Sequence, residues 1–194
     1  MTKIVIIQGH PDLSGKRFCH AIAQSYIEGA EAAGHNVELV EVAALDFPLL
    51  ASQDDWQTGA DGTPPDLQAA QAACVASDHL VFVYPLWLGT MPALLKGFLE
   101  QTFRPGIALS YGESFPAPLF KGKSTRVIIT MGMPALIYNW YFFAHSLKSL
   151  ERNILRFIGM SPVRSSIIGS VESMSHEQRL RWLERVRNLG GQAA

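Results

Sequence analysis

Basic and polar side chains are concentrated between Gly9 and Cys19, directly after a short apolar run. Lys16 and Arg17 can pair with a phosphate, and N–H groups at the start of a helix bind anions. An ATPase-type loop is disfavoured, because five residues separate Gly9 from Gly15 and Arg17 replaces the magnesium-binding hydroxyl. A G-x-G-x-x-G fingerprint is absent too. The turn predicts a phosphate or pyrophosphate cradle, and its candidate residues are His10, Ser14, Lys16, Arg17, Phe18 and Cys19; the alternative is a solvated surface turn.

A second turn, residues 84–92, joins two prolines and a glycine to Trp87. This composition predicts a rigid apolar wall, whose backbone N–H groups could bond the edge of a planar ring. A flavin needs such a wall, with donors at its nitrogens and carbonyl oxygens. The alternative is that Trp87 fills core space. The candidate ring-binding residues are Pro85, Leu86, Trp87, Leu88 and Gly89.

A third turn, residues 130–138, again combines small residues and a proline with an aromatic hydroxyl. Thr130, Met131 and Gly132 are candidate cofactor ligands. Tyr138, a further cofactor ligand, and His145 could donate protons or hydrogen bonds, which makes them the candidate catalytic pair. Packing of His145 in a hydrophobic interface is the alternative. The aromatic residues 140–143 exceed what one helix face buries, and we expect some to face a partner subunit or the substrate.

These turns must be positioned by strands that end at one edge of a sheet. Apolar runs predict strands at 4–7, 37–42, 79–84, 125–131 and 163–169. Helices are predicted at about 16–33, 66–74, 92–102 and 142–157, and from the capping pattern at Ser175 to Gly190. Residues 46–65 and 104–123 are predicted to be irregular. Alternating strands and helices predict a doubly wound parallel α/β sheet in a single domain, residues 1–194.

The composition narrows the function. The chain has 194 residues, of which 48% are hydrophobic, with a formal net charge of −1. That charge provides no field for nucleic acid or an anionic membrane. Neither a membrane-spanning stretch nor a signal-peptide pattern is recognised. Cys19 and Cys74 have no metal-ligand spacing, so no metal site is expected. We expect a cytoplasmic protein that acts on small molecules.

Residues 85–98 (PLWLGTMPALLKGF), His10-Pro11, Phe18-Cys19 and residues 130–138 together resemble the NAD(P)H:quinone oxidoreductase family. This family includes mammalian quinone reductase, bacterial modulator-of-drug-activity proteins and ancillary subunits of potassium-efflux systems. The resemblance covers nearly the whole chain. It implies a flavodoxin-like fold, with five parallel strands in the order 2-1-3-4-5 and helices on both faces.

The resemblance also implies a reaction. Hydride passes from NAD(P)H to FAD or FMN and then to a quinone, and chain length slightly favours FAD. Tyr138 matches the family's active-site tyrosine and is expected to bond the acceptor oxygen. Ala144 stands where mammalian members have their active-site histidine, and His145 is the next residue. A homodimer is implied, because in related enzymes a second subunit completes the pocket.

Three alternatives remain at this stage. A flavodoxin-like electron carrier is disfavoured, since such carriers are strongly acidic and this chain is near neutral. A flavin-binding regulatory subunit of a membrane transporter, with residual reductase activity, would use the aromatic residues 140–143 to contact its partner. Azo or nitro compounds could replace the quinone, because acceptor choice depends on pocket shape.

Overall fold

The computed structural model describes residues 1–112 and 115–194 and contains a five-stranded parallel sheet. The strands lie in the order β2-β1-β3-β6-β7. This is the predicted 2-1-3-4-5 order, because two short strands outside the sheet take the numbers β4 and β5. The sheet strands are β1 Lys3–Gln8, β2 Asn36–Glu41, β3 His79–Pro85, β6 Ser124–Thr130 and β7 Val163–Ile168.

Helices cover both faces of the sheet, as expected. One face packs against α1 and α7, and its buried cluster includes Ile6, Ile22 and Val186. The other face packs mainly against α3, α4 and α6, and includes Phe82 and Phe98. The α-helices in the described residues are α1 Phe18–Ala32, α2 Gln53–Gln57, α3 Pro65–Ala76, α4 Ala93–Thr102, α5 Ala135–Trp140, α6 His145–Ser149 and α7 His176–Gly191.

The predicted helix over 142–157 is wrong in its extent. Helix α5 already ends at Trp140, and α6 begins only at His145, followed by a π-helical turn at Leu150–Leu155. Phe143 and Ala144 separate them with positive φ angles of 52° and 49°, which non-glycine residues adopt rarely. Apolar periodicity cannot detect such a break, because both pieces keep an apolar face.

Both segments predicted to be irregular contain short elements. Residues 46–65 include α2 and the 3₁₀ turn Gly59–Gly62. Buried Arg104 anchors this excursion by donating to the Asp55 carboxylate at 2.9 Å. Residues 104–123 include the antiparallel pair β4 Leu109–Ser110 and β5 Ala117–Pro118. Two residues of that stretch, 113 and 114, lie outside the described residues.

The amino ends of the strands carry a sealed polar cluster. His79 Nδ1 lies 2.7 Å from Ser124 Oγ, and its Nε2 lies 3.1 Å from the Tyr26 hydroxyl. Arg126 donates to Ser166 Oγ at 2.8 Å. Burial lowers the pKa of His79 to about 4, assisted by the charge of Arg126. The imidazole is therefore neutral at pH 7 and acts as a structural hydrogen-bonding group.

Candidate functional site

A cleft of about 520 Å³ opens at the carboxyl ends of the strands, where ligands bind in open α/β sheets. The turns after β1, β3 and β6 all contribute to it, as the sequence predicts. Eleven of the candidate residues line it: His10, Lys16, Arg17, Phe18, Cys19, Pro85, Leu86, Trp87, Thr130, Met131 and Gly132.

The β1–α1 turn is held by its own side chains. Gln8 Oε1 accepts from the His10 N–H at 3.2 Å, and His10 Nδ1 accepts from the Asp12 N–H at 3.0 Å. Asp12 Oδ1 in turn accepts from the Ser14 N–H at 2.8 Å, and Ser14 Oγ from the Lys16 N–H at 3.4 Å. Every second side chain therefore satisfies a backbone donor two residues later, so the turn keeps its shape without a ligand.

Charge at this turn is balanced within the protein. Arg17 Nε lies 2.5 Å from Asp12 Oδ2, and both residues line the cleft. The Ser14 backbone N–H, followed by the Arg17 guanidinium, holds the pKa of Asp12 well below its usual range. Asp12 thus stays ionised and orients Arg17. Lys16 makes no ion pair among the described residues, which leaves its ammonium available to an anion.

His10 is a buried neutral donor on the cleft wall. Burial, followed by the proximity of His20, lowers its pKa below the usual value. Since Nδ1 accepts from Asp12, the ring proton is on Nε2, which can donate to a bound ligand. The ring also packs edge-on against Trp87, with 5.7 Å between centroids.

Cys19 and Thr130 join the first and third turns beneath the cleft. The Cys19 Sγ and Thr130 Oγ1 atoms lie 3.1 Å apart, and both residues are buried. Burial raises the pKa of Cys19 to about 11, so its thiol is protonated and unreactive at neutral pH. The pair fixes the spacing of two cleft walls.

The β3–α4 turn differs from its prediction in two respects. The Leu86 N–H donates to the Thr130 carbonyl at 2.7 Å, and the Trp87 N–H donates to the Thr90 carbonyl at 2.9 Å. These two amides are therefore already bonded within the protein. Leu88 and Gly89 form the tip of the turn, with φ angles of 46° and 82°, and do not line the cleft.

The loop after β7 supplies a fourth wall that the sequence analysis missed. Val171, Glu172 and Arg179 line the cleft. Arg179 donates to the Val171 carbonyl, and its guanidinium lies 5.2 Å from the centre of the Phe18 ring. The available signal was positional: β7 is parallel to the other strands, so its carboxyl end had to reach the same edge. Asp12 was missed as well, although it belongs to the first turn.

Three more candidate residues lie outside the cleft. Ser14 is exposed and bonds only its own turn. Tyr138 is buried, and its hydroxyl lies 2.8 Å from Ser146 Oγ and accepts from the Leu147 N–H at 3.1 Å. His145 is exposed, with its ring stacked on Phe143 at 5.8 Å between centroids. In one chain, Tyr138 therefore stabilises the α5–α6 connection.

An apolar surface surrounds this connection. Trp140 and Tyr141 are 75% and 74% exposed, and several neighbours are exposed too. Patches of this kind mark interaction sites on globular proteins. We call this set the aromatic surface: Leu136, Ile137, Trp140, Tyr141, Phe142 and Phe143.

The cleft has the composition that a flavin phosphate requires. Lys16, Arg17, Arg179 and the start of the 15-residue α1 lie at one end, suited to a phosphate. Pro85, Leu86 and Trp87 provide the flat apolar wall that suits a ring. Gly9 lets the end of β1 pack closely on α4, because a Cβ there would come within 2.7 Å of the buried Leu95 side chain. The residues present fit the group.

Residues 1–112 and 115–194 contain neither a candidate metal-binding group nor a candidate membrane-spanning helix. No group of three His, Cys, Asp or Glu side chains in these ranges is placed to hold a metal ion. No helix in the same ranges combines the length and apolarity needed to cross a bilayer.

Comparison with known proteins places the chain in a family. A family model described as "Flavodoxin-like fold" matches residues 2–189. The FMN-dependent NADH:quinone oxidoreductase 2 of Listeria innocua is 29% identical over 188 residues, covering 89% of each chain. NAD(P)H dehydrogenase [quinone] 1 of Rattus norvegicus is 23% identical, over 94% of this chain and 74% of that one.

Among solved structures, the NAD(P)H:quinone oxidoreductase from Methanothermobacter marburgensis superposes with a TM-score of 0.81. The match covers 98% of this chain and 96% of that chain, at 23% identity. At this identity the match supports the fold. The agreement extends over the whole sheet and its covering helices.

Proposed function

The chain belongs to the flavodoxin-like fold family and, within it, to the NAD(P)H:quinone oxidoreductases, and on that premise we propose that it is a flavin-dependent enzyme reducing quinone-like acceptors with NAD(P)H. One observation carries the proposal: a single cleft joins a cationic, helix-capped end to a flat apolar wall. A phosphate fits the first and a planar ring fits the second.

We propose FMN as the flavin. The Listeria relative is named as FMN-dependent, whereas the preference for FAD expected from chain length has no support in the comparisons. Lys16, Arg17 and Arg179 would hold the phosphate, and Pro85, Leu86 and Trp87 would face the ring. Glu172 adds a carboxylate to the same cleft wall as Arg179.

A bound flavin supplies the acceptance and release of hydride. The chain's own groups position and protect that chemistry. His10 offers a neutral Nε2–H donor, since its Nδ1 is occupied by the Asp12 N–H. Pro85, Leu86 and Trp87 exclude water from one side of the site, which favours paired electron transfer to an acceptor held close.

We further propose a homodimer formed through the aromatic surface. The aromatic surface exposes six apolar side chains to water. Packing them against a second copy would remove this apolar area from water, which stabilises a dimer. In this arrangement the exposed His145 would lie near a site completed by the second copy, whereas the buried Tyr138 would have to turn outward to take its predicted catalytic role there. Those roles, and the cytoplasmic location, stay predictions.

The test is to purify the protein and identify the released cofactor by absorbance and mass. We expect a yellow protein that releases FMN and oxidises NADH or NADPH when a benzoquinone is added. A colourless protein that takes up neither FMN nor FAD would contradict the proposal. Bound flavin without quinone-dependent oxidation would favour the regulatory-subunit alternative, which gains no support from the relatives described above.

A further inference from the structure

A second cavity, of about 350 Å³, lies next to the cleft between α1 and the edge of the sheet. Its floor includes Gln8 of β1 and Leu39 and Glu41 of β2, and its wall includes His20 and Gln24 of α1. The register pairs Gln8 with Glu41, and paired residues of parallel strands point to the same face. A carboxamide and a carboxylate are therefore neighbours in this cavity.

Gln8 contributes a donor that the protein does not use. The residue is 2% exposed, and its Oε1 accepts from the His10 N–H at 3.2 Å, which fixes the orientation of the amide. Its Nε2 is buried without a hydrogen-bond partner in the described part of the chain. A buried amide donor is rarely left unpaired, and this one belongs to a residue that lines the cavity. It therefore indicates an acceptor atom on a ligand.

His20 and Glu41 complete a mixed set of donors and acceptors. His20 Nδ1 accepts from the Arg17 N–H at 3.3 Å, which leaves the ring proton on Nε2. Glu41 is exposed and takes part in none of the ion pairs formed by residues 1–112 and 115–194. A group that both donates to a carboxylate and accepts from N–H donors fits this set, and a ribose diol does both.

The position of Glu41 strengthens that reading. It is the last residue of β2, immediately beside the phosphate-type turn that follows β1. In the Rossmann fold, whose glycine fingerprint this chain lacks, an acidic residue that follows the second strand accepts from the ribose hydroxyls. The His10 and His20 rings, one on each cavity, are only 5.3 Å apart between centroids.

We propose that this second cavity is an adenosine subsite, in which Glu41 accepts from the ribose diol and Gln8 donates to the nucleoside. The proposal rests on the proposed function, which supplies a dinucleotide. The adenosine belongs to the nicotinamide dinucleotide or, if the flavin is FAD, to that cofactor. Because Glu41 would repel a 2′-phosphate, NADH is preferred to NADPH.

The test uses ADP-ribose titrated by calorimetry into the protein loaded with FMN, which has no adenosine and leaves the second cavity free. Glu41→Gln should weaken its binding about tenfold, as expected for a lost charge-assisted hydrogen bond. The matched control is Glu38→Gln, an exposed carboxylate on β2 that pairs with Val5 and points to the other face. This control should bind like the parent. ADP-ribose that fails to bind, or binds equally to Glu41→Gln and the parent, overturns the proposal.

Two further arms identify the source of the adenosine. If it is the reductant, the parent binds NADH more tightly than NADPH, and Glu41→Gln narrows that gap. If it is the flavin, Glu41→Gln weakens FAD binding to the apoprotein and leaves FMN binding unchanged. A protein that binds no flavin contradicts the proposed function, whereas ADP-ribose binding to the apoprotein still reports on the subsite alone.

Discussion

The two ends of the sheet use similar residue types for opposite purposes. At the amino end, His79 bonds both Tyr26 and Ser124, and the His79 and Tyr26 side chains are closed off from solvent. At the carboxyl end, His10, Lys16 and Arg17 line an open cleft, and the turn that carries them is held by side chains that accept from backbone N–H groups. Side chains at one end are satisfied within the protein, whereas side chains at the other remain available to a ligand.

Residue type alone therefore does not identify a functional group. A histidine whose two ring nitrogens both have protein partners contributes to stability. A histidine with one nitrogen facing a cavity can bind a ligand. Substitutions at the amino end should therefore change the free energy of unfolding, and substitutions at the carboxyl end should change ligand affinity.

The largest expected effect is acid destabilisation through His79. Burial lowers its pKa from 6.5 to about 4. Between these pH values the unfolded chain binds a proton at His79, whereas the folded chain keeps the imidazole neutral. Its contribution is complete above pH 6.5 and is lost as the pH falls toward 4, by about 3 kcal/mol in total. Urea unfolding at pH 7 and pH 4 measures this loss.

The variant His79→Gln should lose about 3 kcal/mol less than the parent between those pH values, because it has no proton to bind there. The control His145→Gln changes an exposed histidine and should follow the parent curve. If His79→Gln and the parent lose equal unfolding free energy between pH 7 and pH 4, His79 is not the buried neutral group described above.

Next in size is the loss of a phosphate contact at the open end. We expect Arg17→Ala or Lys16→Ala to raise the Kd for FMN about tenfold, equivalent to about 1.4 kcal/mol. The free energy of unfolding should change by no more than about 0.5 kcal/mol, because both side chains are exposed. Flavin fluorescence titration of the apoprotein gives the Kd.

The matched control is Arg164→Ala, an exposed arginine in β7 near the amino end. It should bind FMN like the parent. If Arg164→Ala weakens FMN as much as Arg17→Ala does, the cleft is not a specific phosphate site.

Tyr138 is a buried residue near the carboxyl end of the sheet. The variant Tyr138→Phe tests whether its hydroxyl contributes to the free energy of unfolding or to ligand affinity. Removing its hydroxyl leaves the Leu147 N–H without its acceptor and should cost about 1 kcal/mol of unfolding free energy. FMN affinity should not change, because the side chain lies outside the cleft. Denaturant unfolding and FMN titration measure the two quantities, with exposed Tyr141→Phe as the control.

A turnover assay of Tyr138→Phe tests the predicted catalytic role separately. A fall in quinone reduction larger than the loss of folded protein would support that role. Unchanged turnover together with reduced stability would assign the hydroxyl to the α5–α6 connection alone.

The smallest effect is expected for Ser14→Ala. Its hydroxyl is exposed, lies outside the cleft and accepts one long bond from the Lys16 N–H at 3.4 Å. FMN affinity should change by less than about twofold. A tenfold loss would show that the turn rearranges to bring Ser14 to the phosphate.

The cleft was predictable from sequence wherever its residues are close neighbours along the chain. In the turn from Gly9 to Cys19, basic residues between a strand and a helix predicted a phosphate site. Glu172 and Arg179 could not be found this way, because the residues around them form no recognisable binding motif. Only the folded sheet brings them to the cleft. Gln8 lies just beyond the strand predicted at 4–7, and its unpartnered amide is evident only from the structure.

The sequence by itself determined the order of strands and helices, the edge of the sheet at which ligands bind, and the family. The order of elements and the binding edge follow from periodicity and turn residues, which act over a few neighbouring positions. The family follows from the resemblance carried by residues 85–98 and the other turn motifs. Only the tertiary structure decided that Tyr138 is turned inward, that Leu86 and Trp87 have no amide to spare, and that Glu41 lies beside Gln8. Each of these depends on contacts that form only in the folded chain, from Trp87 with Thr90 to Gln8 with Glu41, and apolar periodicity does not record such contacts.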